Sequence, residues 1–352
     1  MQRRLFLRAA VAMTAAALAQ HRANAMTRWR TQASTPDFSG VITALRAAVA
    51  DGDPPWAGLT VVTAEETLLA VMAGAASLDH VDLIASATKM PSASAIMTLV
   101  DDGALSLDDP VSRYVPSFSS DKAAITVRQC LSHTSGLPAD APALSRYDIS
   151  LAEAVEEYAG LPLVAPPGTR FVYGGVSYSV AGRVAEIVSG HPWAEFFAQR
   201  IATPLGLSTF TYGQTRNPRI AGGAACSLGD YATLLQLHLG LGMVNGTRVL
   251  SAEAVAEMQR DQVAARGATF SEVAAESGKK EYGYGLAWWF DELAADGTPT
   301  QISDAGLFGA IPWIDRQRGY GAFLFVRTRL TTGVRLFATL LPLIRQAIDG
   351  AS

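Results

Sequence analysis

Apolar residues along this chain follow two rhythms. Near both ends they form short runs rich in β-branched and aromatic residues, and through the middle they recur every three or four positions. Residues 38–50 have the helical spacing and are stopped by Gly52-Asp53-Pro54-Pro55. Residues 59–63 and 67–72 predict two strands joined by the polar turn Ala64-Glu65-Glu66. A short apolar segment, 81–85, leads into a helical pattern at Met90, Ala93, Met97 and Val100 that ends near Asp101-Asp102-Gly103. Helices are then expected over 105–116 (opening at 105–110 and ending by Pro116), 126–131, 151–158, 177–189, 193–201, 228–240 and 252–260. Strands return at 284–290, 309–314 and 320–326, followed by a final helix over 333–348. Strands at both ends and helices between them imply an α+β fold. Its antiparallel sheet is assembled from N- and C-terminal segments, about 38–100 and 282–350, and flanked by helices. A helical lobe, about 101–281, is inserted. No internal repeat interrupts the pattern.

The first 25 residues read as an export signal rather than as part of the fold. Arg3-Arg4 precede an apolar, alanine-rich run, and Ala23-Asn24-Ala25 is a small-x-small cleavage site. Paired arginines at that place point to the twin-arginine route, with an ordinary secretory signal as the alternative. The expected location is therefore periplasmic or secreted. The apolar run is too short to span a membrane. With the four signal arginines removed from the 28 basic residues, 24 remain against 32 acidic ones, a net charge of −8. That balance leaves no basic stripe and argues against nucleic acid as a partner. Cys130 and Cys226 lie in apolar surroundings and read as two buried thiols, although one disulfide is arithmetically possible. His80, His133, His191 and His238 stand at no metal-ligand spacing, so no metal or other cofactor is expected.

The candidate chemistry starts at Ser86 and Lys89. A serine and a lysine three residues apart share one face of a helix. A lysine kept neutral by burial or by a neighbouring cation can take the serine proton. The spacing occurs three times, and context separates the pairs. Ser119/Lys122 and Ser277/Lys280 sit in polar stretches, whereas Ser86 follows an apolar segment and opens a helical pattern. A serine at a helix start also has backbone N–H groups nearby for an oxyanion. The same position equally suits a simple N-cap. Tyr173 lies in the loop Pro166-Pro167-Gly168 to Gly174-Gly175, where glycines let the backbone approach a substrate. A tyrosine near a lysine can act as a base, or can simply pack. Asp304-Ala305-Gly306-Leu307, between expected strands, could supply a second oxyanion N–H or be a plain turn.

The ordered set Ser86-x-x-Lys89, Leu131 to Pro138 (Leu-Ser-His-Thr-Ser-Gly-Leu-Pro), Phe171-x-Tyr173, Pro204-Leu205-Gly206-Leu207 and Tyr282-Gly283-Tyr284-Gly285-Leu286 resembles the serine β-lactamase-related hydrolases. These include class C β-lactamases, D-alanyl-D-alanine carboxypeptidases and esterases of the same fold, and the likeness spans about residues 38–348. It implies that Ser86 is acylated, that Lys89 shares its proton, and that Tyr173 serves as base and acid. It also implies an oxyanion hole made by the N–H groups of Ser86 and of a strand near Leu307. His133 matches a position that looks structural. Two departures stand out. Gly175 replaces the asparagine of the family's Tyr-x-Asn element, and Asp304 appears where β-lactamases carry a cation for the substrate carboxylate. An acid there should repel such a substrate. The expectation is thus an exported serine hydrolase acting on a small acyl substrate, a carboxylesterase before a β-lactamase or peptidase. A catalytically silent binding domain is the reading from another class. Trp288, Trp289, Phe308 and Trp313 are either cleft-lining or core residues.

Overall fold

The structure, a computed structural model, describes residues 35–52, 54–263, 269–270 and 283–351. The expected export signal, the Ser277/Lys280 pair and Tyr282 lie outside the described residues.

Helix α1 (Ser39–Ala48) precedes a hairpin of strands β1 (Trp56–Val62) and β2 (Thr67–Gly74). Strand β3 (Val81–Leu83) and helix α2 (Lys89–Asp101) follow. The middle of the chain contains helix α3 (Val176–Ser189), strand β4 (Ala225–Ser227) and helix α4 (Leu228–Leu239). Further short helices there are Val127–Leu131, Leu151–Ala159, Trp193–Phe197 and Ala252–Met258. Strands β5 (Trp289–Leu293), β6 (Pro299–Ser303), β7 (Ile311–Asp315) and β8 (Tyr320–Val326) lead into helix α5 (Leu330–Asp349).

The main sheet has the order β2-β1-β8-β7-β6-β5, and every neighbouring pair is antiparallel. The first and last strands therefore meet at its centre, with Leu59 opposite Leu324. Alternation along β8 separates two cores. Tyr320, Ala322, Leu324 and Val326 join Val41 and Leu45 of α1 and Leu336, Leu340 and Ile344 of α5. Phe323 and Phe325 face the other way, into the core shared with α2 and α4. Gly321 lies directly against α4: a Cβ there would stand 3.2 Å from Leu239 Cδ1 and 3.3 Å from Leu235 Cβ. Helix α2 runs through this second core and is buried at every position from Lys89 to Leu99.

The expected strands at both ends and helices between them are present, with local differences. Strand β6 was not anticipated, because Pro-Thr-Gln-Ile-Ser lacks an apolar alternation. Of the expected strand at 284–290, Tyr284 makes only an isolated bridge to Trp289, where β5 begins. The helix expected to open at 105–110 and end by Pro116 begins instead as a turn, held by Asp109, whose carboxylate accepts the Ser106 N–H at 2.9 Å and the Tyr114 hydroxyl at 2.7 Å. Such side-chain bonds compete with helical ones. Only Val111–Arg113 makes a single 3₁₀ turn. Cys130 and Cys226 are both free and buried. Among the described residues no helix is long and apolar enough to cross a membrane.

Candidate active site

Ser86 sits on a short turn bound from several sides. Strand β3 pairs with β4, and the Ile84 N–H extends that ladder to Ala224 O at 3.0 Å. The chain then enters a 3₁₀ turn, Ala85–Thr88, ahead of α2 rather than within it. Ala85 takes a left-handed φ of 47°. Thr88 Oγ1 donates to Ala85 O at 2.6 Å and accepts the Ala224 N–H at 3.1 Å. The Tyr231 hydroxyl, from α4, donates to Ala87 O at 2.8 Å.

Lys89 opens α2, and its Nζ reaches back 3.1 Å to Ser86 Oγ and 2.8 Å to Ala221 O. Burial lowers its pKa to about 8, against the attraction of Asp304 and with some help from the repulsion of Arg219. Both conditions that keep a lysine available as a base, burial and a nearby cation, are thus met around Lys89.

Tyr173 closes over this pair from a loop. Lys89 Nζ is 4.4 Å from the centre of its ring. The loop is positioned by His133, whose carbonyl accepts the Val172 N–H at 2.7 Å and whose Nδ1 accepts the Gly174 N–H at 3.4 Å. Gly174 has no room for a side chain, because a Cβ would collide with the Ala139 carbonyl. Burial raises the Tyr173 phenol well above its usual range. The Asp304 charge adds to this, and hydrogen bonding to Ser86 and Trp289 opposes it. The phenol is therefore protonated at neutral pH. His133 is pushed the other way, well below its usual value, by burial and by Lys89, and is neutral.

Ser86, Lys89, Tyr173, Gly175 and Leu307 line one cleft of about 310 Å³. Asp304 and Gly306, expected to meet the substrate, do not line it. Asp304 follows β6, is fully buried, and its Oδ2 accepts the Met90 N–H at 3.0 Å, so it lies beneath the start of α2. It acts on Lys89, not on a substrate carboxylate in the cleft, which corrects the expected repulsion. Gly306 is packed so tightly on Ile84 that a Cβ would strike the Ile84 carbonyl. Of the four aromatic candidates, Phe308 lines the cleft, Trp288 and Trp313 are core, and Trp289 packs 5.3 Å from Tyr173. The sequence reading missed Arg219, Tyr147 and the glycines 222 and 223. Only the Gly-Gly pair carried a local signal, since glycines permit close backbone approach. Of the other two pairs at Ser-x-x-Lys spacing, Ser119/Lys122 is built differently, since Lys122 forms an ion pair with Asp121 at 3.5 Å, and Ser277/Lys280 lies outside the described residues. Among the described residues no three His, Cys, Asp or Glu side chains gather as a metal site requires.

Known proteins share this architecture. The beta-lactamase family model matches residues 41–341. Penicillin-binding protein 4 of Amycolatopsis lactamdurans is 30% identical over 294 residues, which cover 74% of each chain. The lovastatin esterase of Penicillium rubens is 34% identical over 173 residues, 42% of this chain and 43% of that enzyme. The crystal structure of a putative beta-lactamase from Bacteroides dorei superposes with a TM-score of 0.80 at 31% identity, covering 89% of this chain and 100% of the other. With the match extending over nearly all of the described fold, the chain belongs to the beta-lactamase family.

Proposed function

We propose that this protein is a serine hydrolase that forms an acyl-enzyme on Ser86 and acts on carboxylic esters. The observation that carries the reading is the 3.1 Å approach of Lys89 Nζ to Ser86 Oγ inside a cleft closed by Tyr173. Neutral Lys89 takes the Ser86 proton as Oγ bonds to the ester carbonyl carbon. The carbonyl π pair moves to oxygen, where the N–H groups of Ser86 and Leu307 are the candidate donors. Collapse breaks the bond to the alcohol, which leaves with a proton relayed from Lys89 through the Tyr173 hydroxyl. Water then repeats the sequence on the acyl-enzyme.

Gly175 favours an ester over a peptide or β-lactam, since it offers no side-chain amide to an acylamino group. The similarity to a protein named penicillin-binding protein 4 supports the second reading, a peptidase or β-lactamase. The N-terminal residues support export, with the mature chain acting in the periplasm or outside the cell.

The test is the initial rate of p-nitrophenyl butyrate hydrolysis by the mature protein and by Ser86→Ala, with the chromogenic β-lactam nitrocefin run in parallel. The esterase reading expects turnover of the ester that falls at least a hundredfold in the variant. Equal rates for the two proteins would sink it, and faster nitrocefin turnover would favour the second reading. A catalytically silent domain would turn over neither substrate.

A further inference from the structure

Arg219 stands at the same cleft as Ser86, on a loop whose backbone is fixed on both sides. Before it, Asn217 Nδ2 donates to Ala143 O at 2.8 Å and to Arg146 O at 2.7 Å. After it, the Ser92 hydroxyl donates to Ile220 O at 2.7 Å, Lys89 Nζ to Ala221 O at 2.8 Å, and the Ala224 N–H to Thr88 Oγ1 at 3.1 Å. Its own carbonyl takes the N–H groups of Gly222 and Gly223 at 3.0 and 2.7 Å. The backbone is thus held to the turn that carries the nucleophile, while the side chain is exposed at the cleft.

Charge makes this placement informative. Several arginines of this lobe are committed to acids, Arg128 to Asp108 at 2.7 Å, Arg146 to Glu157 at 2.6 Å and Arg183 to Glu186 at 2.9 Å, while Arg216 and Arg248 donate to backbone carbonyls. Arg219 forms no ion pair among the described residues. The residues lining the cleft include two cations, Lys89 and Arg219, and no carboxylate. Asp304 is buried beneath α2 and does not line the cleft. A guanidinium in that setting is matched by a planar anion that it can hold through two parallel N–H bonds.

We infer that Arg219 is a specificity residue that holds a carboxylate of the substrate while the ester carbonyl lies at Ser86. This rests on the acyl-enzyme reading above and adds the substrate class, an ester with a free carboxylate. The carboxylate belongs either to the acyl part or to the departing alcohol, and the experiment separates the two.

Three chromogenic esters are compared on the wild type, Arg219→Gln and Arg219→Lys: neutral p-nitrophenyl butyrate, mono-p-nitrophenyl glutarate with the acid on the acyl side, and 5-butyryloxy-2-nitrobenzoate with the acid on the leaving side. The readout is the ratio of kcat/KM for each acid ester to that for the neutral ester on the same protein. Removing Arg219 also relieves its repulsion of Lys89, which moves the rising limb of the neutral ester's pH profile to higher pH. The ratio cancels that effect. Arg219→Gln is expected to lower one acid ester's ratio at least tenfold, and the identity of that ester gives the side. Arg219→Lys is expected to recover part of the loss, and 0.5 M salt to erode the ratio of the wild type but not that of Arg219→Gln. Ratios that do not change in Arg219→Gln overturn the inference. If the wild type hydrolyses no ester, the esterase reading fails separately. The comparison then passes to the rate at which neutral and carboxylate-bearing phosphonates label Ser86, where equal selectivity in wild type and Arg219→Gln overturns the role of Arg219.

Discussion

Asp304→Asn isolates the electrostatics of the candidate base. Lys89 falls from 10.5 to about 8 because burial outweighs the attraction of Asp304. The asparagine keeps an oxygen for the Met90 N–H, which the Asp304 carboxylate accepts at 3.0 Å, and removes the charge. A neighbouring opposite charge is worth on the order of 3 kcal/mol at an effective dielectric constant of about 20. At about 1.36 kcal/mol per pH unit, losing that attraction lowers Lys89 by about two further units. The sign follows from the reaction: neutral Lys89 is the active form, so kcat/KM rises with pH through the lysine pKa and then levels. For the wild type the limb lies near pH 8, and at pH 6 the rate is about 1% of its plateau. In Asp304→Asn the limb moves to about pH 6, so the rate at pH 6 climbs to about half of that variant's own plateau. The assay is kcat/KM for p-nitrophenyl butyrate between pH 5 and 9.5, with a melting curve to confirm folding. A folded, active variant whose limb stays in place or moves to higher pH would refute the argument that Asp304 holds Lys89 charged against its burial.

Two further outcomes follow from the packing and from the tyrosine. Tyr173→Phe keeps the ring over Lys89, 4.4 Å from Nζ, but removes the hydroxyl. It should lower kcat by about a hundredfold or more with KM little changed; a loss under threefold would remove Tyr173 from the proton path. Gly321→Val places methyl groups where even a Cβ stands 3.2 Å from Leu239. Overpacking of this kind costs about 1–3 kcal/mol, read as a lower urea midpoint at unchanged slope, and an unchanged midpoint would mean that α4 yields freely.

The legible parts of the fold were those with a local cause. Strand β8 matches its expected limits because Tyr320 to Val326 is an unbroken apolar run. Helix α4 matches because Ser227 caps it, its side chain accepting the Asp230 N–H at 3.3 Å, and Gly240 ends it. Strand β6 escaped because it is set by its two neighbours rather than by its own residues, with Ile302 opposite Ile314 on one side and Phe290 on the other. The site divides in the same way. Ser86, Lys89 and Tyr173 could be named from motif and order, since their chemistry needs those residue types at that spacing. Asp304 was named but misplaced, because no sequence distance says whether a residue after a strand faces the cleft or the core. Arg219 was missed altogether. It reaches the cleft of Ser86 through the pairing of β3 with β4 and bonds such as Lys89 Nζ to Ala221 O, which join segments more than 130 positions apart and leave no trace near residue 219.

The geometry around Ser86 is therefore inherited from the sheet rather than written beside it. Phe323 of the central strand β8 stacks on Tyr231 at 4.2 Å between ring centres, and the Tyr231 hydroxyl holds Ala87 O at 2.8 Å. On the other side Ile84 is tied to Ala224 and pressed by Gly306. Between these anchors Ala85 is left with a φ of 47°, which an alanine adopts only at a cost of about 1–2 kcal/mol. His133, behind the Tyr173 loop, has a φ of 58°. Both strained residues adjoin catalytic candidates, and both are fully or almost fully buried, where the surrounding core can fix them. Strain of this kind persists only when packing over-determines it. The long apolar strands of this chain thus do more than stabilise the fold. They hold a serine and a lysine in one orientation that their local sequence does not itself favour.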